Sequence, residues 1–183
     1  MKYYHFLGEL NERQTHNIIK FLLECKRDNE EAVMLINSPG GSINCLESIY
    51  EILMDTEVRL TTIGVGMVAS SAAIIFAMGD ERIILQNTKY LIHHARQIVN
   101  RTTLQGYDYE IGATEARAIL ERNVEMLQKT KITKEVFEER CLKGSDWVLT
   151  PDELKEYDVI TKDAYKGWTN LLIQCMSNGY KDN

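Results

Sequence analysis

The chain has 183 residues, 44% of them hydrophobic and 26% charged, with 11 Gly and only 2 Pro. This excludes a disordered, collagen-like or low-complexity protein and fits one domain that buries about 70% of its unfolded surface. Lys and Arg number 21 against 27 Asp and Glu, a net charge of −6, which argues against nucleic acid as the main partner.

The cysteines (Cys25, Cys45, Cys141, Cys175) are scattered, with no C-x-x-C pair and no His/Cys cluster. Neither a zinc site nor a disulfide framework is expected, and nothing in the sequence asks for a cofactor. Met1 to Leu10 holds Lys2, His5 and Glu9 and lacks the apolar run of a secretory leader. Reduced thiols in a cytoplasmic protein are the expectation.

Tyr3–Leu7 is a candidate first strand, and Asn11 to Gln14 has the spacing of a capping box. Ile18, Ile19, Leu22 and Leu23 follow at helical period. Ala32–Ile36 reads as a buried parallel strand, broken by Ser38-Pro39-Gly40-Gly41 before helical spacing resumes at Ile43, Leu46, Ile49 and Leu53. Leu60 to Gly79 lacks any charge and is long enough to span a bilayer. Its Thr, Ser and Gly residues dilute the apolarity, so a soluble strand over Val58–Val65 and a buried helix over Ala69–Met78 is the better reading, and no membrane is expected.

Arg82–Leu85 and Tyr90–Ile92 read as short strands, and Gln105–Thr130 as a long helix in which Gly112 marks a candidate break. Thr133 opens a short helix, Thr150-Pro151-Asp152-Glu153 is a strong helix start, and Val159-Ile160 reads as a last strand before a mostly helical tail. Strands alternating with helices predict an α/β fold of repeated βαβ units with a mainly parallel sheet.

Four segments could carry chemistry. Asn37 to Gly41 follows a strand, so it lies at the carboxyl end where open α/β sheets place ligands, and its paired glycines can present backbone amides to an oxyanion. By itself it is also an ordinary strand-to-helix turn. Gly66 to Ala73 places Ser70 and Ser71 at a helix start, where a serine serves equally as nucleophile or as cap, and the G-x-S-x-G elbow is absent. His93 and His94 end an apolar run and could supply a general base, while His5 and His16 lie away from the glycine loops. Asp146, just before the Thr150 helix, could orient an imidazole, though alone it is one loop carboxylate among many.

In order, Asn37-Ser38-Pro39-Gly40-Gly41-Ser42, Gly66-Met67-Val68-Ala69-Ser70, Ile92-His93 and Asp146 four residues before Thr150-Pro151 resemble the proteolytic subunit family of the Clp protease. The likeness runs from about Phe6 to Ile160. It implies a crotonase-type fold and a serine endopeptidase acting on peptides or unfolded proteins. It further implies Ser70 as nucleophile, His93 rather than His94 as base, Asp146 as its orienting partner, and Gly41 and Ser71 as oxyanion donors.

The same resemblance implies a homo-oligomeric ring, a heptamer or double heptamer, enclosing the active sites. Residues 1–183 would then form one domain, with a head over about 1–96 and 140–183 and a handle-like region over about 97–139. Family members carry an N-terminal axial segment that meets an AAA+ unfoldase. Here the first strand begins almost at Met1, which leaves that partner open. The Gly-rich stretch usual after the histidine is replaced by His94-Ala95-Arg96-Gln97-Ile98-Val99, where a strand beside the substrate and between rings is expected in altered register.

Three other functions compete: a catalytically silent ring scaffold, an acyl-CoA enzyme of the crotonase type, and a membrane-associated Ser–Lys signal-peptide peptidase. No lysine, Lys89 included, is marked for the last of these.

Overall fold

The computed structural model describes residues 1–95, 106–141 and 145–162. Its sheet begins with β1 (Lys2–Leu7), which lies parallel to β2 (Ala32–Ser38). Between them runs α1 (Glu12–Asp28), where the Asn11 side chain accepts from the Gln14 amide and Asn29, at φ 52°, stops the helix. Only half of the expected capping box is made. The Gln14 side chain donates instead to the Leu7 carbonyl at 2.6 Å and accepts from the Tyr4 hydroxyl at 2.7 Å.

Ser42 caps α2 (Ile43–Thr56), whose apolar row of Leu46, Ile49 and Leu53 packs into the main core with Ile18 and Leu22 of α1. The next strand, β3 (Leu60–Ala69), runs four residues past the expected end at Val65. Two successive partners account for the extension. Thr61 to Gly64 pair with β4 (Glu81–Ile84), and Met67 to Ala69 pair with β5 (Lys89–Ile92).

At the changeover Gly66 has φ 71°, and a Cβ there would lie 3.0 Å from Asn37 Oδ1, the atom that accepts from the Met67 amide. A bare glycine therefore lets β3 bend against β2 without ending it. The following helix, α3 (Ser71–Ala77), is shorter than expected and buried along its whole length.

A long helix, α4 (Gly106–Met126), continues unbroken through Gly112, and α5 (Lys134–Arg140) starts at a Thr133 cap. The buried row of α4 includes Leu120 and Asn123 and continues into Leu127 just past its end. A two-residue strand, β6 (Trp147–Val148), was not expected and pairs antiparallel with β5, giving the order β1-β2-β3-β5-β6 with β4 beside β3. A capping box from Thr150 and Glu153 starts α6 (Pro151–Glu156).

The last strand expected at Val159-Ile160 is not formed. Asp158 turns with φ 50°, and the Asp158 and Val159 carbonyls accept from the Arg82 guanidinium at 2.8 and 3.0 Å, which takes them out of any ladder. The chain rejoins β4 only at a single bridge between Lys162 and Ile83. The expected strand after His94 and the C-terminal helical tail lie outside the described residues. Among the described residues no helix is long and apolar enough to cross a membrane.

Asp80 ties the end of α4 to the sheet. Its carboxylate accepts from the Leu60 amide at 2.8 Å and pairs with Lys129, whose ammonium also donates to the Met78 carbonyl at 2.9 Å. Partial burial pushes the carboxyl up, but the Lys129 and Leu60 hydrogen bonds outweigh it and hold it below its ordinary value of 3.8. A lowered carboxyl contributes stability above its unfolded value, and that stability disappears as pH falls through the folded value. Asp80→Asn is therefore expected to lower the urea midpoint at pH 7 and to narrow the gap from wild type toward pH 3. An equal deficit at both pH values would contradict this.

Candidate active site

Ser38 begins the site. Its buried hydroxyl accepts from the Gly40 amide at 3.0 Å and closes the turn that Pro39 opens. Gly40, at φ 91°, packs so closely on Ser70 that a Cβ would lie 2.7 Å from the Ser70 Cβ. Gly41, at φ 155°, forms a parallel bridge with Leu10, in which Leu10 donates to the Gly40 carbonyl and accepts from the Ser42 amide. In such a bridge the middle residue's own N–H points away from its partner. The Gly41 amide thus faces away from Leu10, while its carbonyl accepts from the Ser71 hydroxyl at 3.3 Å.

Ser70 sits between the end of β3 and the start of α3 with φ 57° and ψ −130°. A non-glycine residue reaches this region only when its surroundings force it, at about 1–3 kcal/mol of strain. The forcing contacts are visible: Ser70 donates from its amide to the Leu91 carbonyl at 2.9 Å, and its own carbonyl accepts from the Ala73 amide. Its side chain makes no capping bond. The capping role weighed for Ser70 from sequence is therefore absent, and the sharp strand-to-helix corner is built without the G-x-S-x-G glycines. Ser71 occupies the first position of α3, where backbone amides have no partner within the helix.

The bond from Ser70 to Leu91 brings the serine against the carboxyl end of β5. There β5 and β6 pair Leu91 with Val148 and Ile92 with Trp147. The ladder stops there, with His93 following β5 and Asp146 preceding β6 at the same end. The two histidines part company here. His93 lines a cavity of about 370 Å³ together with Gly41, Ser70 and Ser71, while the His94 ring packs edge-on against Phe137 at 5.2 Å. His93 Nδ1 lies 2.6 Å from the His94 carbonyl, an acceptor, so a hydrogen bond there requires a proton on Nδ1.

Asp146 is exposed at the start of β6. Its charge faces Cys141, whose thiol donates to the Ile92 carbonyl at 3.8 Å and is pushed up to about 11, chiefly by burial. Two contributors to this region escaped the sequence reading. Asn123, buried on α4, lines the cavity opposite the glycine loop. Its place in the apolar row Ile119, Leu120, Asn123, Leu127 is the signal that could have revealed it. The other is β6, too short for any periodicity to register. Among the described residues no cluster of His, Cys, Asp and Glu could hold a metal ion.

The family model for Clp protease matches residues 4–163. The chain belongs to the Clp protease family. Among curated relatives, ATP-dependent Clp protease proteolytic subunit 1 of Bifidobacterium longum is 32% identical over 166 residues, covering 85% of this chain and 67% of the relative. The subunit of the same name from Rhodococcus jostii is 28% identical over 164 residues, covering 85% and 71%. A solved structure of a ClpP1 mutant from Listeria monocytogenes superposes with a TM-score of 0.76 at 23% identity, covering 90% of this chain and 91% of that one. The Clp fold seen there fits the mainly parallel sheet described above. As a member of this family the protein is a serine-type peptidase.

Proposed function

We propose that this Clp-family peptidase hydrolyses peptide bonds in peptides or unfolded proteins, with Ser70 as nucleophile. The strained backbone of Ser70, held beside β5 in a cavity shared with His93, carries the reading. Ser70 Oγ attacks the substrate carbonyl carbon while His93 Nε2 takes the hydroxyl proton. The carbonyl π bond opens onto oxygen, and the Gly41 and Ser71 amides stabilise that oxyanion. His93 then returns the proton to the leaving amine as the C–N bond breaks, and water repeats the sequence to release the acyl group from Ser70. Asp146 stabilises the transient imidazolium across the β5–β6 register. No metal or cofactor is needed for any step.

Assembly belongs to the same proposal. The subunits close into a homo-oligomeric ring, single or stacked as a double heptamer, because closed symmetry leaves no unpaired copy of an interface. The decisive experiment labels the purified protein with a fluorophosphonate serine probe on fractions sized by light scattering. The expected result is one modified peptide, containing Ser70, in fractions heavier than a monomer. An unlabelled protein in every fraction would favour the silent-scaffold reading, to which the bond between His93 Nδ1 and the His94 carbonyl lends its support.

A further inference from the structure

Around Gly41 the backbone is almost fully hydrogen-bonded. Each of Gly40, Gly41 and Ser42 carries one N–H and one C=O that need a partner wherever water is excluded. The Gly40 amide donates to Ser38 Oγ at 3.0 Å, and its carbonyl accepts from the Leu10 amide at 2.8 Å. The Ser42 amide donates to the Leu10 carbonyl at 3.0 Å, and its carbonyl accepts from the Leu46 amide at 3.1 Å. The Gly41 carbonyl accepts from the Ser71 hydroxyl at 3.3 Å. What remains is the Gly41 amide, which alone among these groups has no hydrogen bond to any described residue.

Those bonds hold the loop from two sides and differ in kind. A trans peptide points its N–H opposite to its C=O. Because the Gly40 carbonyl and the Ser42 amide face Leu10, the Gly41 amide and carbonyl both face the other way, toward Ser71. On the Leu10 side every bond is main chain to main chain, and a Cβ on Gly41 would collide with the Leu10 carbonyl. On the cavity side the Gly41 carbonyl is held by a single side chain, that of Ser71, which is only 4% exposed. The hinge between the two peptide planes is a glycine at φ 155°, with no Cβ to limit its rotation. Nothing local to Gly41 therefore fixes the direction of its amide, and the Ser71 hydroxyl supplies that constraint.

We propose that Ser71 is a positioning residue: its hydroxyl, bonded to the Gly41 carbonyl, holds the unpaired Gly41 amide toward the point that receives the substrate oxyanion. The inference rests on the peptidase reading above, in which the Gly41 and Ser71 amides stabilise that charge. Ser71 then serves the oxyanion twice, directly through its main-chain N–H and through Gly41 with its side chain.

Ser71→Ala removes the hydroxyl and keeps both amides. Hydrolysis of a fluorogenic peptide amide is expected to lose roughly tenfold in kcat, less than the roughly hundredfold or more that follows outright loss of an oxyanion donor. KM should stay within about twofold of wild type. Ser71→Thr keeps a hydroxyl on the same carbon and is expected to recover most of the loss. A peptide aldehyde separates positioning from a general disturbance of the cavity. Ser70 Oγ adds to its carbonyl carbon, the hydroxyl proton passing to His93 and the π pair to oxygen, so aldehyde affinity should fall by the same factor as kcat. The matching peptide alcohol forms no adduct and should bind both proteins equally. Wild-type kcat and aldehyde affinity in Ser71→Ala would overturn the inference, as would equal losses for aldehyde and alcohol, or a threonine variant no better than alanine. Those results leave the wild-type enzyme active and the peptidase reading intact. A wild type that neither hydrolyses the peptide nor reacts with a fluorophosphonate would remove that reading, and the inference with it.

Discussion

Ser70→Ala is expected to lower peptide hydrolysis by roughly a millionfold, the scale on which removal of a serine nucleophile acts. The Gly41 and Ser71 amides and the cavity remain, so binding persists and the loss falls on kcat. Fluorophosphonate labelling should vanish with it. The fold should hardly notice: the Ser70 side chain makes no capping bond, and its structural duties are carried by the backbone bonds to Leu91 and Ala73, which alanine keeps. Alanine also has to adopt φ 57°, so a small loss of thermal stability is compatible with this account. Wild-type hydrolysis in a folded Ser70→Ala protein would refute the assignment.

Arg82→Met is expected to destabilise the protein by about 3–5 kcal/mol, a large part of the roughly 5–15 kcal/mol that a domain possesses. Arg82 is only 4% exposed. Its guanidinium donates to the carbonyls of Gly79 at 2.7 Å, Val159 at 3.0 Å, Lys129 at 3.0 Å and Asp158 at 2.8 Å. Burial holds its pKa below the ordinary value, with Tyr90, Asp158 and Asp80 opposing that shift. Methionine fills a similar volume but leaves these acceptors without a donor, and the loops before β4, after α4 and after α6 lose their common anchor. Lysine restores the charge without the fork, so Arg82→Lys should recover only part of the loss. A urea midpoint within about 1 kcal/mol of wild type for Arg82→Met would show that water replaces the guanidinium.

The contrast between Ser70 and Arg82 marks what could be read in the sequence. Local chemistry was legible: the Asn11, Thr133 and Thr150 caps, the Ser38-Pro39 turn and the buried strand at Ala32 each follow from a few adjacent residues. The ordered motifs that carry the family likeness, Asn37 to Ser42 and Gly66 to Ser70 among them, were legible for the same reason. Features that depend on distant partners were not. Val159 has the composition of a strand residue, and only the presence of Arg82 beneath it removes its carbonyl from a ladder. Gly66 resembles a strand breaker until Asn37 is seen to fill the space its missing side chain leaves. Trp147-Val148 is a strand solely because Leu91 and Ile92 lie beside it.

Because β3 serves two neighbours in succession, the sheet is mechanically divided at Gly66. The segment before the glycine shares four residue pairs with β4, and Arg82 bolts that side to three separate loops. The segment after it shares three pairs with β5, which in turn is held by only two pairs to β6. Ser70, His93 and Asp146 all hang from the lightly fastened side. A thermal fluctuation that parts β5 from β6 breaks only the Leu91–Val148 and Ile92–Trp147 pairs and leaves the bolted half of the molecule whole, at far lower free energy than global unfolding requires.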